Sequence, residues 1–170
     1  MTVTETLLKP ASISDIKTIQ TLAHKIWTEH YTPIIGDVQV NYMLQKIYSE
    51  EALINQITKG PQQFFLIQNE NEIQGYLSFE TEKESLGFIN KFYLLSETRR
   101  SGLGKQAFEA LCSIYNSTKE IRLQVNRQNY KAINFYFKMG FIIESVADFD
   151  IGDGYFMNDF IMVKHLWTKH

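Results

Sequence analysis

Two glycine-bearing segments of this chain hold the residues whose types and spacing could do chemistry. The first, Arg99-Arg100-Ser101-Gly102-Leu103-Gly104, lies between an apolar extended run and a helical pattern. A glycine-rich strand-to-helix turn lets backbone amides approach a diphosphate at the positive end of a helix. Arg99, Arg100 and Lys105 add positive charge there. Three nucleotide readings compete. A Walker A loop needs Ser or Thr after its Gly-Lys pair to hold Mg²⁺, and Gln106 follows Lys105. The run Gly102 to Ala107 satisfies the G-x-G-x-x-A dinucleotide fingerprint. That fingerprint also wants an acid at the tip of the next strand to hold ribose hydroxyls, and Ile121 to Val125 leads to Asn126. The third reading is an R-x-x-G-x-G pyrophosphate loop on Arg99, Gly102 and Gly104.

The second segment runs from Asn129 to Phe141 and reads N-x-x-A-x-x-x-Y-x-K-x-G-F. Asn129, Ala132 and Tyr136 recur at three and four residues, which predicts one helix face. Gly140 suits the left-handed position that ends a helix before a strand. Together the segments resemble the GCN5-related N-acetyltransferase (GNAT) superfamily over roughly residues 86 to 145. Beyond them, Ile26-Trp27, His30-Tyr31, Tyr42 to Leu44 and Asp150 to Met162 resemble bacterial PaiA-type polyamine acetyltransferases.

The resemblance implies acetyl-coenzyme A as donor and no metal. Arg99, Arg100, Ser101, Gly102, Leu103, Gly104 and Lys105 would hold its pyrophosphate. Phe92, Tyr93 and Leu94 would border the coenzyme, with a backbone N–H near Leu94 stabilising the tetrahedral oxyanion. Asn129 would bond the coenzyme or the backbone beside it, and Tyr136 would protonate the departing thiolate. Transfer would be direct, in a ternary complex. No general base is assigned, although Glu80 and Glu82 could act through water. The expected acceptor is a small primary amine, with spermidine or spermine first. A protein N-terminus, a lysine, an antibiotic amine, or a non-catalytic acetyl-CoA sensor stay open. Trp27 and Tyr31, in the aromatic, turn-rich run Trp27 to Ile35, are expected to wall the acceptor. Asp148, Asp150, Asp153 and Asp159 offer carboxylates to a polycation.

The elements that must position these residues follow from periodicity. The 170 residues suit one domain, 1–170, with 44% hydrophobic content. No apolar stretch reaches the ~20 residues of a membrane span, and MTVTETLLKP lacks the form of a signal peptide. The single Cys112 excludes an internal disulfide and falls on an apolar helical pattern, as a buried thiol would. These features point to the cytoplasm. Lys and Arg total 17 against 19 Asp and Glu, so no net charge draws nucleic acid, and four histidines lack metal-ligand spacing.

Thr2 to Leu8 reads as a strand stopped by Pro10, and a helix runs to about His30, broken by Pro33 and Gly36. Asp37 would cap a second helix and Ser49 a third. Extended runs follow at Gln62 to Gln68, Ile73 to Glu80 and Leu86 to Leu95. A helix from Gly102 to about Ser117 would turn Ala107, Phe108, Leu111, Ile114 and Tyr115 inward. Strand Ile121 to Val125, helix Tyr130 to Met139 and strands Phe141 to Asp150 and Tyr155 to Leu166 complete the chain. This order predicts a mixed α/β (α+β) fold with a single, mostly antiparallel central sheet and helices on both faces, the GNAT arrangement. The closing strands offer an edge for a homodimer.

Overall fold

The computed structural model describes residues 7–83, 85–98 and 100–166. Seven strands and five helices appear in the order β1 (Leu8–Pro10), α1 (Ile16–Ile35), α2 (Asp37–Tyr48), α3 (Glu50–Thr58), β2 (Gln63–Asn69), β3 (Glu72–Glu82), β4 (Leu86–Leu94), α4 (Leu103–Ile114), β5 (Glu120–Asn126), α5 (Tyr130–Lys138), β6 (Ile142–Gly152) and β7 (Tyr155–His165). The sheet order is β1-β2-β3-β4-β5-β7-β6. β4 and β5 pair in parallel, whereas β1–β2, β2–β3, β5–β7 and β6–β7 pair antiparallel. The chain divides into two compact units, Met1–Glu80 with Lys91–Asn116 and Thr81–Asn90 with Ser117–His170, so the division falls within β3 and within β4.

In the first unit, β1 is an edge strand and ends at Pro10, where a missing N–H is tolerated. The expected strand residues Thr2 to Thr6 lie outside the described residues. Pro33 does not break α1 as the sequence suggested. It sits in the final turn, where its missing N–H forfeits a single bond to the carbonyl four residues back. The helix ends instead at Gly36, whose φ is 82° and whose N–H bonds the Thr32 carbonyl at 3.0 Å. The run Trp27 to Ile35 is therefore helical rather than turn-rich. Gly36, not Asp37, caps α2, and the Asp37 carboxylate accepts from the Val38 N–H at 2.9 Å. Ser49 caps α3 as expected, accepting from the Ala52 N–H at 3.2 Å.

Sheet alternation separates two packed faces in this unit. Tyr76 and Tyr93 meet Tyr48 of α2 and Trp27 of α1 on one face. Phe65 and Phe79 meet Tyr115, just past α4, on the other. The helix ends at Ile114, short of the expected Ser117, because Tyr115 leaves the helical conformation with ψ 52°. Ile114, the last residue of the helix, is 43% exposed, contrary to the inward position expected. Cys112 is half-buried rather than enclosed.

In the second unit, Ile121, Leu123 and Val125 of β5 are buried with Met162 and Val163 of β7 and with Ile133 and Phe141. Arg122 reaches from β5 past β7 to the Glu144 carboxylate on β6, with hydrogen bonds of 2.8 and 2.7 Å. That pairing holds the Glu144 pKa below its usual range. Between β6 and β7, Asp153 (φ 51°) and Gly154 (φ 77°) form a two-residue turn with both φ positive, which matches the twist of the strands.

Candidate active site

The glycine turn opens α4. Gly102 is its N-cap at φ 82°, and a Cβ there would touch nothing, so glycine is required by conformation and not by space. Arg100 also takes positive φ, 70°. The Ser101 hydroxyl donates to the Thr98 carbonyl at 2.6 Å and accepts from the Leu103 N–H at 3.2 Å. The Gly104 and Lys105 amides lie in the same first turn, at the positive end of the helix dipole. Arg100 and Lys105 are exposed, and the Lys105–Glu109 pair at 3.8 Å has both side chains in solvent, so it binds the lysine weakly. Arg99 lies outside the described residues. Upstream, Ser96–Thr98 is tied to α1: Lys25 pairs with Glu97, and Ser96 donates to Glu29 at 3.1 Å. The hydrogen bond between them raises Lys25 and lowers Glu97.

The end of β4 leads into that turn. Its parallel register with β5 covers only Leu86↔Glu120 to Ile89↔Leu123, although β4 continues to Leu94. Just beyond, the Leu95 N–H donates to the Gln74 carbonyl on β3 at 2.9 Å. Successive amides of a strand point to opposite edges, so the Leu94 N–H points away from β3. Phe92 and Leu94 share one face of β4, and Lys91 and Tyr93 share the other.

The second segment forms α5. Asn129 is 4% exposed and precedes the helix as its N-cap, with Oδ1 accepting from the Ala132 N–H at 3.1 Å. Its Oδ1 is thereby engaged by the helix that it caps. Tyr136 is 7% exposed, and its ring contacts Phe135 and Phe141 at 5.4 and 5.5 Å between centroids. The helix closes through two bonds of 3.0 Å, Gly140 N–H to the Phe137 carbonyl and Phe141 N–H to the Tyr136 carbonyl. With Gly140 at φ 88°, this is the Schellman closure, in which the second residue past the cap packs against the residue it bonds. The Y-x-K-x-G-F spacing thus has a physical cause: Gly140 and Phe141 hold Tyr136 by backbone and ring together. Lys164 adds a bond of 2.6 Å to the Met139 carbonyl.

Both segments fall within residues 22–141, which match the model of the Acetyltransferase (GNAT) family over well more than half of the chain. The chain belongs to the GNAT family. A spermidine N(1)-acetyltransferase of Thermoplasma acidophilum is 26% identical over 170 residues, covering 92% of this chain and 95% of that protein. The crystal structure of the PaiA N-acetyltransferase from Thermoplasma acidophilum in complex with coenzyme A superposes with a TM-score of 0.78 and 25% identity, covering 94% of this chain and 98% of that one. A GCN5-related N-acetyltransferase from Rhodopseudomonas palustris has a TM-score of 0.77 at 14% identity, a likeness of fold.

As a GNAT N-acetyltransferase the chain uses acetyl-coenzyme A, which supplies the acetyl group as a thioester. The positive-φ turn at Arg100 and Gly102, leading into the amides of the first turn of α4, fits a diphosphate. No group of three or more potential metal ligands occurs among the described residues, and no described helix is long and apolar enough to cross a membrane.

The remaining candidate residues fall as follows, and the structure adds Tyr48, Tyr76 and Lys91, which the sequence did not single out. Trp27 and Tyr31 are buried in a ring cluster with Tyr93, at centroid distances of 4.6 to 6.4 Å. Behind it, the Tyr76 hydroxyl donates to the Tyr48 hydroxyl at 2.8 Å, and burial raises both phenols well above their usual range. Lys91 is buried on the same face of β4, donating to Gln56 at 2.7 Å and Gln62 at 3.3 Å. Desolvation lowers its pKa to about 8, against the field of Glu80. The four aspartates of the last hairpin do not share one environment. Asp148 pairs with Arg127, Asp150 accepts from the Gly152 N–H at 2.8 Å, Asp153 sits in the turn, and Asp159 is buried. Asp159 thus departs from the carboxylate open to a polycation that the sequence suggested, and the alternating pattern of the strand around it is the signal for its burial.

Proposed function

We propose that this GNAT acetyltransferase moves the acetyl group of acetyl-coenzyme A to a primary amine of a small polyamine, spermidine or spermine. Arg100, Lys105 and the amides of the Gly102–Gly104 turn hold the pyrophosphate, with Arg99 as a further cation. Phe92, Tyr93 and Leu94 border the thioester, and Asn129 orders the start of α5 by capping it. The neutral amine attacks the thioester carbonyl, and its oxygen becomes an oxyanion bonded by the Leu94 N–H. Collapse breaks the C–S bond, and Tyr136 gives its proton to the thiolate, whose basicity is that of an ordinary thiol at about 8.5. The proton lost by the nitrogen leaves through a base that this reading does not assign.

The spermidine N(1)-acetyltransferase that aligns along 92% of the chain carries the choice of acceptor. The exposed Asp150 and Asp153 carboxylates of the β6–β7 hairpin support it, being suited to a polycation. Thiol release from acetyl-coenzyme A tests the reading with spermidine, spermine, an N-terminal peptide, a lysine peptide and an aminoglycoside. Spermidine should turn over, and Tyr136→Phe should lower kcat by about 10²-fold or more. If spermidine is inert while a peptide is acetylated, the acceptor is wrong. If none of them releases thiol from a protein that binds the coenzyme, amine acetylation itself is wrong.

A further inference from the structure

Gly75 of β3 is a glycine without a conformational reason. It is absent from the positive-φ positions, so its backbone is one any residue adopts. Space is what excludes a side chain. A Cβ at Gly75 would lie 2.2 Å from the Tyr93 carbonyl oxygen, 2.8 Å from Leu94 Cδ2 and 3.0 Å from Leu94 Cα. Two of these three atoms are backbone of the same short stretch of β4. A glycine inside a strand marks such a close backbone approach.

The atom it abuts matters for the chemistry. The Tyr93 carbonyl and the Leu94 N–H belong to one planar trans peptide, in which they point in opposite directions. The carbonyl faces Gly75, so the N–H faces away from β3, in agreement with the direction set by the Leu95–Gln74 bond of 2.9 Å. That bond also prevents β3 and β4 from separating locally to relieve a clash. A methyl group at position 75 would therefore rotate or displace the peptide that carries the Leu94 donor.

We propose that Gly75 is a positioning residue for acetyl transfer: its missing side chain seats the Tyr93–Leu94 peptide so that the Leu94 N–H meets the thioester oxyanion. The proposal rests on the oxyanion role given above to Leu94. Gly75 touches no substrate; it acts through that peptide. Binding of the coenzyme, which depends on the turn before α4, is not its task, so the loss on substitution belongs in kcat and not in coenzyme affinity.

The test is steady-state kinetics and coenzyme A binding for Gly75→Ala, beside Leu53→Ala, which empties a fully buried position in α3 far from this peptide in sequence. Gly75→Ala should bind coenzyme A as the wild type does while kcat falls by about 10²-fold, the scale of one misplaced oxyanion donor. Leu53→Ala should lose thermal stability and keep kcat. A folded Gly75→Ala with wild-type kcat overturns the proposal. So does an equal kcat loss in Leu53→Ala, which would make the effect one of general stability. If Gly75→Ala does not fold, the Leu94 amide resonance of the wild type decides. It should shift with a ketone analogue of acetyl-coenzyme A and not with coenzyme A itself, and an identical response to both overturns the proposal. A wild type inactive on every amine would instead refute the transfer reading beneath it.

Discussion

Replacing Asp159 with Asn should stabilise the protein at neutral pH. Asp159 is 2% exposed and in register on β7 with Asn126 of β5 and Ala147 of β6. Burial raises its pKa from 3.8 to about 6; the Arg127 charge opposes the shift and Asp148 adds to it. Arg127 is also paired with Asp148. The folded state thus holds this proton more tightly than the unfolded chain does. Stability from this group is complete below the unfolded value, falls as pH rises from about 4 to about 6, and stays reduced above. About two units corresponds to about 3 kcal/mol at pH 7, as an upper scale. Urea unfolding of both proteins across about pH 4 to pH 8 gives the difference between them, in which the titration of the other carboxylates cancels. Asp159→Asn should match the wild type near pH 4 and exceed it increasingly up to pH 6. A variant equally destabilised at every pH would refute the reasoning, because it would mean that the carboxylate is satisfied as a charge.

Tyr76→Phe removes a buried donor and leaves the Tyr48 hydroxyl without that partner, so denaturant unfolding should show a loss of about 1–2 kcal/mol. The ring against Tyr93 remains, at 5.5 Å between centroids, and kcat should change little. Gly102→Ala should cost about 1–2 kcal/mol by forcing a Cβ into the left-handed region, since that Cβ meets no neighbour. It should raise the KM for acetyl-coenzyme A more than it lowers kcat, and Gly102→Asn should be milder.

Much of this was readable in the sequence because the relevant physics is local. The R-x-x-G-x-G turn and the Asn129 to Phe141 run each act within a helix end: a left-handed glycine, a cap, a Schellman closure. Their spacing therefore survives as a motif. Pro33 misled because a proline breaks a helix interior but is tolerated in a last turn, and sequence alone does not say where the last turn falls. Ile114 keeps the spacing of the buried Ala107 and Leu111 yet is exposed at the helix end, because periodicity does not show how far along a stripe the covering elements reach. What the sequence hid depends on strands brought together from far apart. The approach of Gly75 to Tyr93, the bonds from Lys91 to Gln56 and Gln62, and the reach of Arg122 to Glu144 all join residues about twenty or more apart in the chain. Asp159 looks like turn composition until its register with Asn126 buries it.

Mass spectrometry of the amine product, with acetyl-coenzyme A and spermidine as the substrates, tests the central claim most directly. Monoacetylated spermidine should form in step with free thiol, and Tyr136→Phe should slow both together while coenzyme A still binds. Thiol release without acetylated amine, or no product from any amine in a protein that binds the coenzyme, would contradict it.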